Sequence, residues 1–255
     1  MSIEAIFTDL DGTLIPPNVK REEASLTPRM ERTLRGLTSK GFKIAAVTTK
    51  DYRFASRILP FAHAWATVGG LEIKTLDGRR KIHQSVFEEQ TALKKALQLA
   101  ETKASNVDAT VEYKLLSDGY TLAGFCFDWR FSSSKKAAQE VAAKLHEEAK
   151  NLGLCSILYS GRPYLDVYAT EVDKGYALST LKQLLNIRGE VVYLGDSEVD
   201  NPAFIKADIS IGIIHEETPH NLAARYKISF RTLEDLLETL LEFGERAFLQ
   251  KLVGV

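Results

Sequence analysis

Residues 3–14, IEAIFTDLDGTL, carry the clearest signal of the fold class of this chain. Its first six residues form a nearly continuous apolar run, which is typical of a strand buried on both faces of a parallel sheet. The run ends in an acidic turn that contains Asp9, Asp11 and Gly12. The sequence therefore predicts two carboxylates at the carboxyl end of a buried strand, where open α/β sheets bind their ligands.

After residues 3–14, helix and strand patterns alternate along the chain. A helix is predicted between Thr27, which is a good N-cap, and Gly41, and a second strand follows over residues 42–47. The alternation resumes after residue 173, with strands predicted near residues 190–194 and 209–213. This order predicts an α/β fold with a doubly wound, Rossmann-like parallel sheet.

The middle of the chain has a different order. A strand is predicted near residues 81–86, and two helical patterns follow, each continued by a pair of strand-like runs around a turn. Helix, hairpin, helix, hairpin is typical of an α+β domain on an antiparallel sheet. We therefore predict a core formed by residues 1–78 and 170–255, and an inserted domain formed by residues 79–169.

Composition and charge narrow the classes of function. The 33 Lys and Arg residues against 34 Asp and Glu residues give a net charge of -1, which does not favour nucleic acid as a partner. No apolar stretch is long enough to span a membrane and the start of the chain does not resemble a signal peptide, so a cytoplasmic protein is expected. The two cysteines lack the spacing of a zinc site. The sequence leaves the oligomeric state open.

Polar residues at the predicted strand and helix ends could converge on one site. Two carboxylates two residues apart, at Asp9 and Asp11, repel each other unless a cation lies between them. Oxygen ligands without a nearby histidine or cysteine favour Mg²⁺, which keeps several waters and can meet a phosphate. The turn at Gly12 is expected to offer amide donors to anionic oxygens. The other polar clusters contain Thr48, Lys174, Asp196 and Asp200.

In order and spacing, these clusters resemble the four motifs of the haloacid dehalogenase superfamily of phosphohydrolases. The resemblance covers nearly the whole chain. It implies that Asp9 is the nucleophile that forms an aspartyl-phosphate. It also implies that Asp11 is the general acid that protonates the leaving alcohol and then activates water.

The same resemblance assigns the remaining site residues. It implies that Lys174 neutralises charge on both the nucleophile and the phosphate. The residues expected to bind phosphate are Gly12, Thr48, Thr49 and Lys174. The residues expected to bind Mg²⁺ are Asp9, Asp11, Asp196 and Asp200.

Two positions depart from the pattern of the family. Many relatives carry Gly and Arg after the threonine of the second motif, where this chain has Thr49 and Lys50. Many also have Asn before the last aspartate of the fourth motif, where this chain has Val199. Neither change removes a carboxylate, so hydrolysis is still expected.

The inserted domain resembles the larger α/β cap of this superfamily, the type IIB cap, which carries substrate specificity. Local likenesses to trehalose-6-phosphate phosphatases imply a sugar or glycosyl phosphate, a small molecule, as the substrate. They also make Arg162 and Asp166 candidate contacts to it. For these two residues, a hairpin turn with a surface charge pair is an equal alternative. Sucrose-phosphate, mannosyl-3-phosphoglycerate and phosphoglycolate phosphatases stay open as alternatives. So do a phosphomutase of the same superfamily and a binding protein without turnover.

The histidines lie outside all of these turns in the sequence. We therefore expect them to be surface or core side chains with no part in the chemistry. They are His63, His83, His146, His215 and His220.

Overall fold

The computed structural model describes residues 2–17, 19–159, 161–171, 173–215 and 221–254. Strands lie at β1 (Ile3–Thr8), β2 (Lys43–Val47), β3 (Ala64–Thr67), β4 (Glu72–Thr75), β5 (Arg80–Ile82), β6 (Thr110–Leu115), β7 (Leu122–Asp128), β8 (Cys155–Leu158), β9 (Tyr164–Tyr168), β10 (Glu190–Gly195), β11 (Ile209–Ile214) and β12 (Tyr226–Ser229). Helices lie at α1 (Pro28–Ser39), α2 (Tyr52–Ile58), α3 (Ser85–Glu88), α4 (Gln90–Ala104), α5 (Lys135–Asn151), α6 (Lys174–Leu184), α7 (Asn201–Lys206) and α8 (Phe230–Val253). Within these ranges, no helix combines the length and the apolar composition that crossing a membrane requires.

The chain divides into two compact units. The first unit contains Met1–Thr49, Arg53–Lys81 and Asp173–Val255, and the second contains Lys50–Tyr52 and Ile82–Val172. The first unit is therefore assembled from segments that lie far apart in the sequence.

The first unit is built on an eight-stranded sheet in the order β12-β11-β10-β1-β2-β3-β4-β5. Neighbouring strands from β12 to β3 pair in parallel, and β3 pairs with β4 in the antiparallel direction. In the central strand β1, Phe7 lies opposite Tyr193 on one side and Ala45 on the other. This confirms the prediction of a doubly wound parallel sheet.

Helices pack on both faces of this sheet. On one face, α6 and α7 contact the strands, and the buried core includes Phe7, Val47, Leu178, Leu181 and Phe204. Elsewhere α1 packs against α8. Helix α1 begins where the sequence predicts, since the hydroxyl of Thr27 accepts a hydrogen bond from the amide of Met30 at 3.0 Å.

The second unit contains an antiparallel four-stranded sheet in the order β6-β7-β9-β8. Helices α4 and α5 contact this sheet. Side chains alternate between the faces of a strand, so the buried residues Phe125, Phe127, Leu165 and Val167 share one apolar face. The element order is the helix, hairpin, helix, hairpin order predicted from the sequence.

Short elements differ from the prediction. The strand expected over residues 81–86 is only Arg80–Ile82, and Ser85–Glu88 is a single helical turn. Strands β3, β4 and β12 were not predicted; each has four residues, too few to give a periodic signal.

The half-buried His63 makes the free energy of unfolding of the first unit depend on pH. Burial, together with Lys43, lowers the pKa of His63 below 6.5, and its Nδ1 accepts a hydrogen bond from the amide of Ile44 at 3.2 Å. The folded state therefore binds fewer protons than the unfolded state just below pH 6.5. The free energy of unfolding is expected to fall as the pH decreases through that value.

We expect His63→Phe to reduce this loss of stability between about pH 7.5 and about pH 5.5. Urea unfolding followed by circular dichroism at both pH values measures it. The substitution His83→Phe, at an exposed position, controls for the removal of one imidazole. Equal pH dependence in wild type and His63→Phe would contradict the prediction.

Candidate active site

Separate segments of the first unit bring polar side chains to the carboxyl edge of the parallel sheet. Asp9 follows β1, Thr48 follows β2 and Asp196 follows β10. Lys174 is the first residue of α6, after the N-cap Asp173, whose carboxylate accepts hydrogen bonds from two amides of the first helical turn. Parallel pairing of β10, β1 and β2 puts these strand ends at one edge.

The ammonium group of Lys174 lies between two carboxylates. Its Nζ is 3.1 Å from Asp9 Oδ2 and 2.7 Å from Asp200 Oδ1. Burial alone would lower the pKa of Lys174, but the two carboxylates raise it above its ordinary value, so the group stays charged. The structure thus brings together predicted site residues from three of the four motifs.

Both oxygens of Asp200 accept several hydrogen bonds. Besides Lys174, the hydroxyl of Tyr193 donates to Oδ1 at 2.6 Å. Oδ2 accepts from the amide of Asp196 at 3.1 Å, and from the amide and the hydroxyl of Ser197, each at 3.0 Å. Asp200 therefore holds the lysine and fixes the turn that carries Asp196. The sequence analysis did not assign this role.

The Asp9 carboxyl lies in a negative environment. Burial raises its pKa above 3.8, Lys174 opposes that shift, and the carboxylates of Asp200, Asp196 and Asp11 raise it further. The net direction is upward. An ionised Asp9 therefore needs more positive charge in the site than Lys174 provides.

The donor set suits a hard divalent cation. One carboxylate oxygen from each of Asp9, Asp196 and Asp200 lies within 4.8 Å of the others. These are oxygen ligands, as Mg²⁺ prefers, and three carboxylates against one ammonium leave an excess of two negative charges. Among the residues that the structure describes, this group does not include the half-buried Asp11. Because the oxygens of Asp200 are already hydrogen-bonded, Asp9 and Asp196 are the carboxylates best able to hold the ion.

The turn after β1 is held by its own backbone. The amide of Gly12 donates to the carbonyl of Ile15 at 2.8 Å, and the amide of Thr13 donates to the carbonyl of Leu10 at 3.2 Å. The structure therefore corrects the expectation that the Gly12 amide is available to anionic oxygens. Gly12 provides space instead: its φ is +75°, and a Cβ there would collide with the carboxylate of Asp196.

The second predicted motif lies at the end of β2. Thr48 is buried, its amide donates to the carbonyl of Ala66 and its carbonyl accepts from the amide of Gly69, both at 2.9 Å. Thr49 is half-buried. The backbone of Thr48 is thus fixed at the edge of the sheet that carries Asp9.

The sheet of the second unit carries a buried polar group of its own, which we call the Lys114 cluster: Lys114, Tyr159, Asp166 and Tyr168. Lys114 Nζ is 2.6 Å from Asp166 Oδ1 and 2.7 Å from the Tyr168 hydroxyl. The hydroxyls of Tyr168 and Tyr159 donate to Asp166 Oδ2 at 2.7 and 3.1 Å. Burial alone would raise the pKa of Asp166, but the charge of Lys114 and the hydrogen bonds from Lys114 and Tyr168 bring it below its ordinary value.

Glu112 extends this polar face. It lies two residues before Lys114 on β6, and the register pairs Glu112 with Cys126 and Cys126 with Asp166. Within the same unit, Glu112 Oε2 is 3.3 Å from Lys50 Nζ. Sequence reasoning found Asp166 but missed Glu112 and Lys114. Their opposite charges, separated by one residue in a predicted strand, put both side chains on one face of the sheet, and this pattern could have identified them.

The structure gives the two cap candidates different surroundings. Asp166 is buried in the Lys114 cluster, whereas Arg162 is half-buried in the turn between β8 and β9. Two partners of Asp166, Lys114 and Tyr168, are strand residues whose contact with it the sequence does not predict.

One histidine lies against the site. His215 follows β11, and its Nε2 is 3.1 Å from Asp196 Oδ2. His215 is expected to be a surface or core side chain, and it is half-buried. The sequence does not predict its contact with Asp196, which arises because pairing of β10 with β11 brings the two strand ends together. His220, given the same expectation, lies outside the described residues.

Comparisons with known proteins bear on this site. A search of curated protein sequences gives no match. In solved structures, a trehalose-6-phosphate phosphatase related protein matches with a TM-score of 0.75 and 19% identity, covering 97% of this chain and 100% of the other. The C-terminal domain of trehalose-6-phosphate phosphatase from C. albicans matches with a TM-score of 0.75 and 15% identity, over 94% and 92% of the two chains.

A sugar phosphatase of HAD subclass IIB matches with a TM-score of 0.64 and 14% identity, over 94% of this chain and 99% of that one. At these identities the likeness concerns the fold. The family itself comes from a sequence model of haloacid dehalogenase-like hydrolases, which matches residues 83–217, more than half of the chain. Together with the acidic motifs at the strand ends, this match shows that the chain belongs to the haloacid dehalogenase-like hydrolases.

Proposed function

We propose that this protein is a magnesium-dependent phosphomonoester hydrolase that works through an aspartyl-phosphate on Asp9. The observation that carries the proposal is the buried contact of 3.1 Å between Lys174 Nζ and Asp9 Oδ2. A lysine held against a carboxylate at the edge of a parallel sheet offers a nucleophile and a positive charge to the same phosphoryl group.

In the first step, a carboxylate oxygen of Asp9 attacks phosphorus, and the bond from phosphorus to the leaving alcohol oxygen breaks. Asp11, in the role implied by the family, gives its proton to that oxygen. Lys174 and the hydroxyl of Thr48 bind the phosphoryl oxygens while charge moves onto them. Asp200 and Tyr193 keep the lysine in position.

In the second step, Asp11 takes a proton from water, whose oxygen attacks phosphorus. The bond from phosphorus to Asp9 breaks, so inorganic phosphate is released and both aspartates return to their starting state. Asp9 and Asp196 would hold Mg²⁺. When bound, the ion supplies the positive charge that keeps Asp9 ionised and screens the phosphoryl oxygens.

For the substrate, we propose a sugar or glycosyl phosphate, such as trehalose-6-phosphate, with residues 79–169 acting as the specificity cap. The Lys114 cluster supports this, because it holds hydroxyl, ammonium and carboxylate groups that can both donate to and accept from sugar hydroxyls. Burying charges costs free energy, and functional sites often hold such groups, which supports a role in binding. Arg162 is a further candidate contact.

Phosphate released in ¹⁸O-labelled water contains the label for a hydrolase, whereas a phosphomutase returns a rearranged substrate.

Asp9→Asn is expected to lower kcat for p-nitrophenyl phosphate at least about 10³-fold, which corresponds to about 4 kcal/mol of barrier. The amide is a poor nucleophile. EDTA is expected to abolish wild-type turnover and added Mg²⁺ to restore it.

The matched control is Asp108→Asn, at an exposed position in the second unit with a φ of 51°, a conformation that Asn tolerates. It should turn over like wild type. Full activity of Asp9→Asn would exclude the aspartyl-phosphate mechanism.

Tyr193→Phe removes a buried hydrogen bond to Asp200. We expect it to lower the free energy of unfolding by about 1–2 kcal/mol and to reduce kcat, because Asp200 then holds Lys174 less firmly. Urea unfolding and steady-state kinetics measure both effects. Tyr226→Phe, at a half-buried position of the same sheet, is the control; an equal effect of both substitutions would contradict the assigned role.

Lys114→Met tests the substrate class. We expect kcat/KM for the preferred sugar phosphate to fall at least about tenfold, equivalent to about 1.4 kcal/mol, with little change for p-nitrophenyl phosphate, which has no sugar. Glu112→Gln, which leaves the buried Lys114–Asp166 pair intact, is a second variant that should shift the same ratio if Lys114→Met does not fold. Lys144→Met on the exposed side of α5 is the control. Equal losses on both substrates would contradict sugar recognition by this cluster.

A further inference from the structure

The contact between His215 and Asp196 belongs to none of the predicted motifs. His215 Nε2 lies 3.1 Å from Asp196 Oδ2, and both side chains are largely buried, with 13% and 5% exposure. A carboxylate oxygen only accepts hydrogen bonds, so Nε2 carries the hydrogen and donates it. The carboxylate therefore has a fixed donor on the side of β11.

His215 is a neighbour of the carboxylate group, not a member of it. Among the described residues, the ligand atoms that lie within 4.8 Å of one another come from Asp9, Asp196 and Asp200. The imidazole nitrogens of His215 do not join that set. The histidine reaches the cation site only through Asp196.

The surroundings of Asp196 explain why such a donor matters. On one side, the Cα of Gly12 approaches the carboxylate so closely that a Cβ would collide with Oδ2. On the backbone side, the amide of Asp196 is fixed by Asp200 Oδ2. The hydrogen bond from His215 adds an orienting contact to the carboxylate itself.

We propose that His215 is a positioning residue that holds the Asp196 carboxylate in the orientation that binds the divalent cation. The inference rests on the proposed function, since it assumes that Asp196 is a metal ligand. Hydrogen-bond donors to metal-binding carboxylates typically change metal affinity by roughly 10–100-fold when they are removed.

The test measures metal binding directly, without substrate. Mn²⁺ is titrated into the protein and free Mn²⁺ is followed by electron paramagnetic resonance, with Mg²⁺ as competitor. His215→Phe keeps a ring but has no donor, whereas His215→Gln keeps an N–H donor at the end of a side chain of similar reach. The control is His63→Phe, which removes a half-buried histidine near the start of β2 and β3.

We expect His215→Phe to raise the Kd for Mn²⁺ at least about tenfold, with His215→Gln within about threefold of wild type, and with His63→Phe unchanged. Wild-type affinity in His215→Phe would overturn the inference, and so would an equal loss in His215→Gln. Thermal unfolding without metal identifies misfolded variants; if His215→Phe is one of them, His215→Ala takes its place with the same expected result.

The outcomes separate the inference from the proposed function. If His215→Phe weakens Mn²⁺ binding but Asp9→Asn still hydrolyses substrate, the aspartyl-phosphate mechanism is wrong and the role of His215 stands. If the wild type binds Mn²⁺ and the His215 variants bind it equally well, only the inference is wrong. If the wild type binds no Mn²⁺, the inference and the magnesium dependence both fail.

Discussion

The site depends on one buried ion triplet, in which the ammonium of Lys174 lies between Asp9 and Asp200. Such a group is expensive to desolvate, and removing one member leaves an uncompensated charge in the interior. Asp9 follows the central strand β1, and Asp200 is fixed by hydrogen bonds to the turn after the neighbouring strand β10. The sheet register and the position of α6 therefore determine whether the charges meet.

The ion triplet also explains why the acidic residues of the site have different roles. Both oxygens of Asp200 accept hydrogen bonds, so Asp200 works as a scaffold, whereas Asp9 and Asp196 are the proposed ligands of the cation. Without further positive charge, Asp9 is pushed towards its protonated form. Under the proposed function, a bound cation would supply the positive charge that keeps this carboxylate ionised.

Much of the fold and part of the site could be predicted from the sequence, because the signals are local. The apolar run before Asp9 and the N-cap at Thr27 can each be recognised from residues that are adjacent in the sequence. Once β1 and β10 are recognised as parallel strands, the residues after them must share one edge. The other features depend on contacts between distant residues: the hydrogen bonds around Asp200, the pairing of Lys114 with Asp166, and the approach of His215 to Asp196. The hydrogen bond of the Gly12 amide is also such a feature, because only the folded turn shows that this amide donates to a backbone carbonyl.

The division of the first unit along the chain has a consequence for synthesis on the ribosome. The segments Lys50–Tyr52 and Ile82–Val172, which together form the compact second unit, are both translated before β10. Until β10 emerges, β1 has β2 as its partner and lacks the strand that completes its other side. An open edge on a strand as apolar as β1 is a site for unwanted association. A nascent chain released before Glu190 would therefore contain all segments of the second unit. The sheet of its first unit would be incomplete, and the unpaired apolar edge of β1 could associate with other chains.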